Sequence, residues 1–204
     1  MKRAITLLLT LLCATIGRGQ TGGEILSQMG ASAKLNAMGA YRIDFELEMP
    51  GATATSKGHC VVEGERYVIS IEDLSQGCDG QTQWTLNGQN REVTFDTPRT
   101  ESRSLFDNPT KAFDFTDELF AVESVTSTND GDWQLVLLPA EGVLDGIERV
   151  VVRVDKKSLL PTALGYDMAG IGLWINIAKI TPTSTTPSIF KPTIPEGYEV
   201  IDFR

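Results

Sequence analysis

The chain has 204 residues, with 18 basic and 27 acidic side chains and a formal net charge of −9 at pH 7. Removal of residues 1–19 takes away three basic residues. It leaves 15 basic against 27 acidic residues and brings the net charge to −12. A chain this acidic repels nucleic acid and anionic membrane surfaces, so we expect neither as a partner.

Residues 1–19 have the pattern of a secretory signal peptide. Lys2 and Arg3 precede an apolar run over residues 4–16, and the small residues Gly17 and Gly19 follow, which predicts cleavage before Gln20. The apolar run is too short to span a bilayer, and no later stretch approaches about 18 apolar residues. We therefore expect an exported protein that is free of the membrane, with residues 20–204 forming a single domain.

The first half of the mature sequence predicts one helix and then a strand meander. Residues 23–38 have apolar side chains at near-helical spacing, with Gly39 as the stop. From Tyr41 to Met49 apolar and charged residues alternate, which is typical of a strand with one buried face. The further strands of the meander are predicted over residues 57–62, 67–71 and, with hairpin turns at Asp79-Gly80 and Asn87-Gly88, three times between Leu74 and Phe95.

Between Thr97 and Glu123 the alternation stops. Asn108-Pro109 has the pattern of a helix start, and we predict a helix over 108–120 whose phenylalanines lie against the sheet. A loop rich in Ser, Thr and Pro, residues 181–188, is expected to cross the outside of the sheet. Strand patterns resume over 133–137, 147–154, 162–166 and 171–177.

These elements predict a mainly β protein with a few helices. About nine or ten strands in one antiparallel sheet must curl, which gives an incomplete, unclosed β-barrel. The predicted helices 23–38 and 108–120 are the available cover for its dry face.

Two cysteines, Cys60 and Cys78, remain after processing. Counting along the meander places them on two strands that are separated by a third. Next-but-one strands lie roughly 9 to 10 Å apart, whereas a disulfide tolerates a Cα separation of about 7 Å. We therefore expect two unpaired, buried thiols.

The sequence contains no recognisable pattern for catalysis. The single histidine, His59, lies in a predicted strand, and no G-x-S-x-G, Walker A, H-E-x-x-H, C-x-x-C or S-x-x-K motif occurs. A pair of carboxylates could in principle hydrolyse glycosides, but most carboxylates alternate with apolar residues, where solvation explains them. We predict no catalytic residue, no metal site and no cofactor, and a protein that is not an enzyme.

Two motifs resemble the LolA-like family of periplasmic outer-membrane lipoprotein carriers. Asp79-Gly80-Gln81-Thr82-Gln83-Trp84, followed by Glu92-Val93, is similar to that family's Asp-Gly-x-x-x-Trp stretch and the strand after it. The ending IFKPTIPEGYEVIDFR, residues 189–204, is similar to its closing Phe-x-x-x-x-Pro-x-Gly-x-x-Val-x-Asp segment. The family's Arg-Pro motif at the end of the second strand is not matched, so we transfer no latch role to Arg66.

The resemblance implies a periplasmic carrier with a hydrophobic cavity under a helical lid, which moves the acyl chains of lipoproteins from the inner to the outer membrane. It also implies acylated lipoproteins or other lipids as partners, an inner-membrane release complex and an outer-membrane receptor, and a monomer. Two alternatives stay open: a carrier of another lipid, and an envelope sensor or regulatory module on the same scaffold.

The candidate lipid-binding cavity combines the apolar residues of the strands with the phenylalanines of the predicted helix. An acyl chain needs only a dry surface, since each buried CH₂ contributes about 0.8 kcal/mol. For each residue taken singly, ordinary core packing is the favoured explanation. The candidates are Tyr41, Ile43, Phe45, Leu47, Tyr67, Ile69, Ile71, Trp84, Leu86, Val93 and Phe95, with Phe113, Phe115 and Phe120 as the cap.

Overall fold

The computed structural model describes residues 21–204, so the predicted signal peptide and its cleavage point lie outside the described residues. The fold is built on one 12-stranded sheet in the order β12-β6-β5-β4-β3-β2-β1-β11-β10-β9-β8-β7. Its strands are β1 (Ala40–Glu48), β2 (Ser56–Glu63), β3 (Arg66–Ile71), β4 (Leu74–Cys78), β5 (Gln83–Asn87), β6 (Glu92–Asp96), β7 (Phe120–Ser127), β8 (Trp133–Pro139), β9 (Arg149–Val154), β10 (Pro161–Met168), β11 (Ile171–Pro182) and β12 (Glu199–Asp202). Because β12 and β7 end the order without pairing with each other, the barrel is unclosed, as predicted.

Every neighbouring pair of strands is antiparallel except the first pair in that order. β12 runs parallel to β6, with Val200 opposite Val93. The sequence predicted nine or ten strands, and β7 and β12 are the two that it missed. β12 has only four residues and pairs with a strand about 100 positions earlier in the chain, so no local pattern marks it.

The predicted helix 23–38 is two short helices, α1 (Gly22–Met29) and α2 (Ala31–Asn36). Thr21 and Glu24 form a reciprocal capping box at the start of α1. Gly30 lies between the two helices with φ 41°, in the left-handed region that glycine adopts at little cost, and this conformation breaks the helix. Ile25, Leu26 and others of this pair are buried against the sheet, so α1 and α2 are the helical lid.

The predicted helix over 108–120 is wrong. Residues 97–119, which we call the covering segment, form successive turns, and Phe120 begins β7. Asn108 does not cap a helix: its side-chain oxygen accepts from the Thr110 hydroxyl at 2.6 Å, and its amide nitrogen donates to the carbonyl oxygen of Thr100 at 3.1 Å. The backbone is held irregular by tertiary contacts, and local helix signals do not survive them.

Register divides the side chains of the sheet between two faces. Residues directly opposite each other in an antiparallel ladder share a face. Tyr41 lies opposite Val62, Val62 opposite Tyr67, and Tyr67 opposite Cys78, which in turn lies opposite Gln83. We call this the inner face, because its residues form one core with α1, α2 and the covering segment.

The other face, the outer face, is crossed by residues 183–198, which we call the C-terminal segment. This confirms the predicted outer loop, although β11 extends to Pro182 and a short 3₁₀ helix covers Pro187–Phe190. The hydroxyl of Thr185 donates to a carboxylate oxygen of Glu63 at 2.6 Å. Cys60 and Cys78 are free and buried, as predicted, on two strands that flank β3.

Candidate ligand-binding face

The inner face is apolar over β1–β3 and again over β8–β11. Seven of the predicted cavity residues lie here together: Tyr41, Ile43, Phe45, Leu47, Tyr67, Ile69 and Ile71. The second half of the sheet adds a set of apolar residues that sequence reasoning had not assigned to the cavity: Leu135, Leu137, Val150, Val152, Val154, Leu164, Tyr166 and Ile175. Alternation in the predicted strands 133–137 and 147–154 was the signal that could have found them.

The inner face is covered by α1, α2 and the covering segment. Leu105 and Phe113 of the covering segment are at most 2% exposed, and Phe115 is also buried. Phe120 is buried with them, although it belongs to β7, and its ring meets that of Phe115 edge to face with centroids 5.4 Å apart. The predicted cap residues therefore cover the inner face, but from turns and a strand start instead of a helix.

Side-chain hydrogen bonds fasten the covering segment to the sheet. The Tyr67 hydroxyl donates to the carbonyl oxygen of Asp107 at 2.7 Å, and the Gln76 amide donates to that of Phe106 at 2.7 Å. From the far half of the sheet, the Tyr166 hydroxyl accepts from the backbone N–H of Leu105 at 3.3 Å. These three contacts, which we call the fastening, join both halves of the inner face to three consecutive residues.

Burial keeps the fastening hydroxyls protonated. It raises the pKa of Tyr166 to about 12 and that of Tyr67 well above the usual range. Burial likewise raises the pKa of the Cys60 thiol, which lies on the inner face between Ile43 and Ile69. These groups act as neutral hydrogen-bonding or packing groups at physiological pH.

The other four predicted cavity residues lie on the opposite face. Trp84, Leu86, Val93 and Phe95 are on the outer face, because the inner position opposite Cys78 is Gln83, not Trp84. Trp84 donates through Nε1 to the carbonyl oxygen of Phe190 at 2.8 Å, under the C-terminal segment. Alternation had shown which residues share a face, but it does not say which face is inner.

The inner face of β4–β6 is polar. Polar residues of the three strands line a pocket of about 190 Å³ at this end of the sheet, and further residues complete the edge of the pocket. The polar strand residues are Gln76, Gln83, Thr85, Thr94 and Asp96, and the others are Trp84, Arg99, Asp107 and Phe203. Gln83 is buried, and its side-chain oxygen accepts from the backbone N–H of Arg99 at 3.0 Å. The inner face thus changes from apolar to polar across the strand order.

Gly77 lets Trp84 lie flat on the outer face. A Cβ on Gly77 would lie 2.5 Å from Cζ2 of Trp84, which is closer than any real contact. We expect Gly77→Ala to displace the indole and to lower the free energy of unfolding by about 1 to 3 kcal/mol, measured by urea denaturation. Gly172→Ala is the control, since a Cβ there meets nothing within 4 Å. Equal stability of the two variants would contradict the placement of Trp84.

His59 lies on the outer face opposite Asp44, and its pKa is lowered by burial and by the nearby Arg42 guanidinium.

Within residues 21–204, no group of three or more His, Cys, Asp and Glu side chains is placed to hold a metal ion. Across the same range, none of the helices has the length and apolar character needed to cross a membrane.

The sequence and the structure were compared with known proteins. No protein-family model and no curated protein matches the sequence. An uncharacterised conserved protein from Thermus thermophilus aligns with TM-score 0.57 and 10% identity, over 86% of this chain and 98% of its own. A putative outer membrane lipoprotein-sorting protein domain from Vibrio parahaemolyticus aligns with TM-score 0.46 and 12% identity, over 81% and 97%.

A LolA superfamily protein from Nitrosomonas europaea aligns with TM-score 0.42 and 9% identity, over 85% of this chain and 99% of its own. At identities this low the likeness concerns the fold. The fold itself is an unclosed barrel with a helical lid, as the sequence predicted.

Proposed function

We propose that the protein is a periplasmic carrier that binds the acyl chains of a lipoprotein, or of another lipid, on its inner face. One observation carries this proposal. The apolar inner face is closed by two short helices and an irregular segment, not by a second sheet, and the irregular part is fastened by a few hydrogen bonds. A cover of this kind can be displaced without breaking any strand pairing.

The energetics of such an exchange favour reversible binding. When the covering segment moves away, the apolar surface that Leu105 and Phe113 bury becomes available to a chain, and each CH₂ buried there contributes about 0.8 kcal/mol. The gain is offset by the loss of the segment's own packing, so net affinity stays moderate. A carrier must release its cargo, and this balance allows release.

We propose a cleft beside the covering segment as the route to the inner face. It has a volume of about 370 Å³ and lies between Ser102 and Ser104 on one side and Val143, Leu144 and Ile147 on the other. Apolar side chains on one wall suit the passage of a hydrocarbon chain. Entry there would reach the fastening at Asp107, which also lines the cleft.

The predicted signal peptide, residues 1–19, supports export to the periplasm, with residues 20–204 as one domain. A carrier in that compartment receives its cargo from an inner-membrane release complex and passes it to an outer-membrane receptor, and we propose both as partners of a monomer. Binding to hydrocarbon needs no catalytic group, which fits a protein that is not an enzyme.

Affinity for a series of saturated fatty acids tests the proposal. With chains of 8, 10, 12 and 14 carbons, competing below their micelle concentrations with a fluorescent fatty acid, we expect the dissociation constant to fall by up to about fourfold per CH₂. Affinity that does not depend on chain length, or no displacement at all, would contradict binding on the apolar face.

A pull-down separates the proposal from the sensor alternative. Protein purified gently from its host is expected to carry acyl chains, detectable by native mass spectrometry. One stable protein partner and no lipid would favour a regulatory module instead.

A further inference from the structure

The polar pocket on β4–β6 adjoins the apolar part of the inner face. Ile69 on β3 lies directly opposite Gln76 on β4, and Gln76 lies opposite Thr85 on β5. Adjacent strands are about 4.8 Å apart, so the surface changes from hydrocarbon to hydrogen-bonding groups within about 10 Å. A ligand whose chain reaches Ile69 places its other end over Gln76 and Thr85.

Two hydroxyls in the pocket have no hydrogen-bond partner in the part of the chain that the structure describes. Thr85 and Thr94 lie directly opposite each other and both line the pocket. Neither side chain makes a hydrogen bond to another residue within 21–204, whereas Gln83 next to them is buried and bonded. The pocket therefore offers free donors and acceptors beside a rigid, buried amide.

The charges at the pocket disfavour an anionic ligand. Asp96 and Asp107 both line it, and Arg99 is the one cation among the described residues of its lining. The Arg99 guanidinium lies 3.3 Å from a carboxylate oxygen of Asp107, so its charge is already paired. The remaining charge is negative, and a phosphate group would be repelled.

We propose that this pocket binds the uncharged polar head of an amphiphile whose chain lies on the apolar inner face. The inference rests on the proposed function and adds the ligand class: a lipid with hydroxyl or amide groups at its head. An acylated peptide and a glycolipid both have this chemistry, and a simple anionic phospholipid does not.

The test uses three probes that share a ten-carbon chain: decyl β-glucoside, decanoyl-Gly-Gly-amide and decyl phosphate. Each displaces a fluorescent fatty acid below its micelle concentration. We expect at least one neutral probe to bind more tightly than decyl phosphate. Preference for the glucoside identifies a sugar head, and preference for the dipeptide amide identifies a peptide head.

The double variant Thr85→Val, Thr94→Val removes both hydroxyls with little change of shape or strand propensity. We expect it to lower the affinity for the preferred neutral probe about 10-fold and to leave the affinity for decyl phosphate unchanged. Thr181→Val, on β11 opposite Arg42 of the outer face, is the control and should change neither. Thermal unfolding of each variant confirms that it is folded.

Equal affinity for all three probes, or no effect of the double variant, would overturn the head-group site while chain-length-dependent binding left the proposed function standing. Failure of every probe and of the fatty-acid series would overturn both.

Discussion

Replacement of Phe190 by alanine is expected to lower the free energy of unfolding by about 3 to 5 kcal/mol. The Phe190 ring is fully buried on the outer face, with the Arg66 guanidinium 4.9 Å from its centre. Its backbone carbonyl accepts the Trp84 indole N–H. Loss of the ring leaves a cavity and loosens the C-terminal segment from β3 and β5. Urea denaturation measures the change, and emission from Trp84 in a variant without the other two tryptophans reports local solvation.

Ile189→Ala is the matched control for this variant. Ile189 is the preceding residue of the same 3₁₀ helix but is 38% exposed, so its truncation should cost less than about 1 kcal/mol. Fatty-acid affinity should be the same in both variants under conditions where they are folded, because Phe190 lies on the face opposite the proposed binding surface. A selective loss of fatty-acid binding in the folded Phe190→Ala variant would contradict the assignment of the two faces.

The double variant Tyr67→Phe, Tyr166→Phe is expected to raise the apparent affinity for fatty acids by up to about 30-fold. It removes two of the three fastening contacts and destabilises the closed arrangement by about 2 kcal/mol. Where the open state is a minor species, apparent affinity rises with its population. Because the hydroxyls stay protonated, as the raised pKa values of both tyrosines indicate, the effect should be constant between about pH 6 and 9.

Alkylation of Cys60 gives a second measure of opening. In a Cys78→Ser background Cys60 is the only thiol within residues 21–204, and it is fully buried under the cover. The rate of Cys60 alkylation should be higher in the double tyrosine variant, where the affinity for fatty acids is also higher. Bound fatty acid should suppress this alkylation.

Tyr41→Phe is the control for the fastening. It removes a hydroxyl from the same inner face, but one that makes no hydrogen bond to a residue within 21–204. It should change neither the alkylation rate nor the affinity. If it matched the double variant, the effect would come from general loosening of the core and the fastening would have no special role.

Strand alternation made much of the fold predictable. Along β1 the apolar and charged residues alternate from Tyr41 to Leu47, and these apolar side chains all lie on the inner face. Strand spacing also predicted the free thiols, since Cys60 and Cys78 lie on strands that β3 separates. In both cases the regular geometry of neighbouring strands, which the local sequence pattern reveals, decides the structure.

Features decided by distant contacts were not predictable. Trp84 looks like a cavity residue, but its face is set by the ladder from Cys78 to Gln83 and by the C-terminal segment more than 100 residues later. Asn108-Pro109 looks like a helix start, yet the backbone before it is bound by Tyr67 and Tyr166. Those contacts fix the backbone just before the predicted start, and turns instead of a helix follow it.

The polar set on β4–β6 shows the same limit. Gln76, Gln83 and Thr85 are unremarkable as single residues, and only the register reveals that they share a face with Ile69 and Tyr67. The change from apolar to polar along the sheet gives the inner face a direction, with the hydrocarbon end under the cover and the polar end beside β6.

Photo-crosslinking of a fatty acid that has a diazirine in the middle of its chain tests the central claim most directly. After irradiation of the complex, fragmentation mass spectrometry assigns each adduct to a residue. We expect adducts on inner-face residues such as Ile43, Val152 and Leu164, and on Leu105 or Phe113 of the covering segment. Adducts confined to exposed apolar side chains of the C-terminal part, such as Ile194 and Val200, would contradict acyl binding on the inner face.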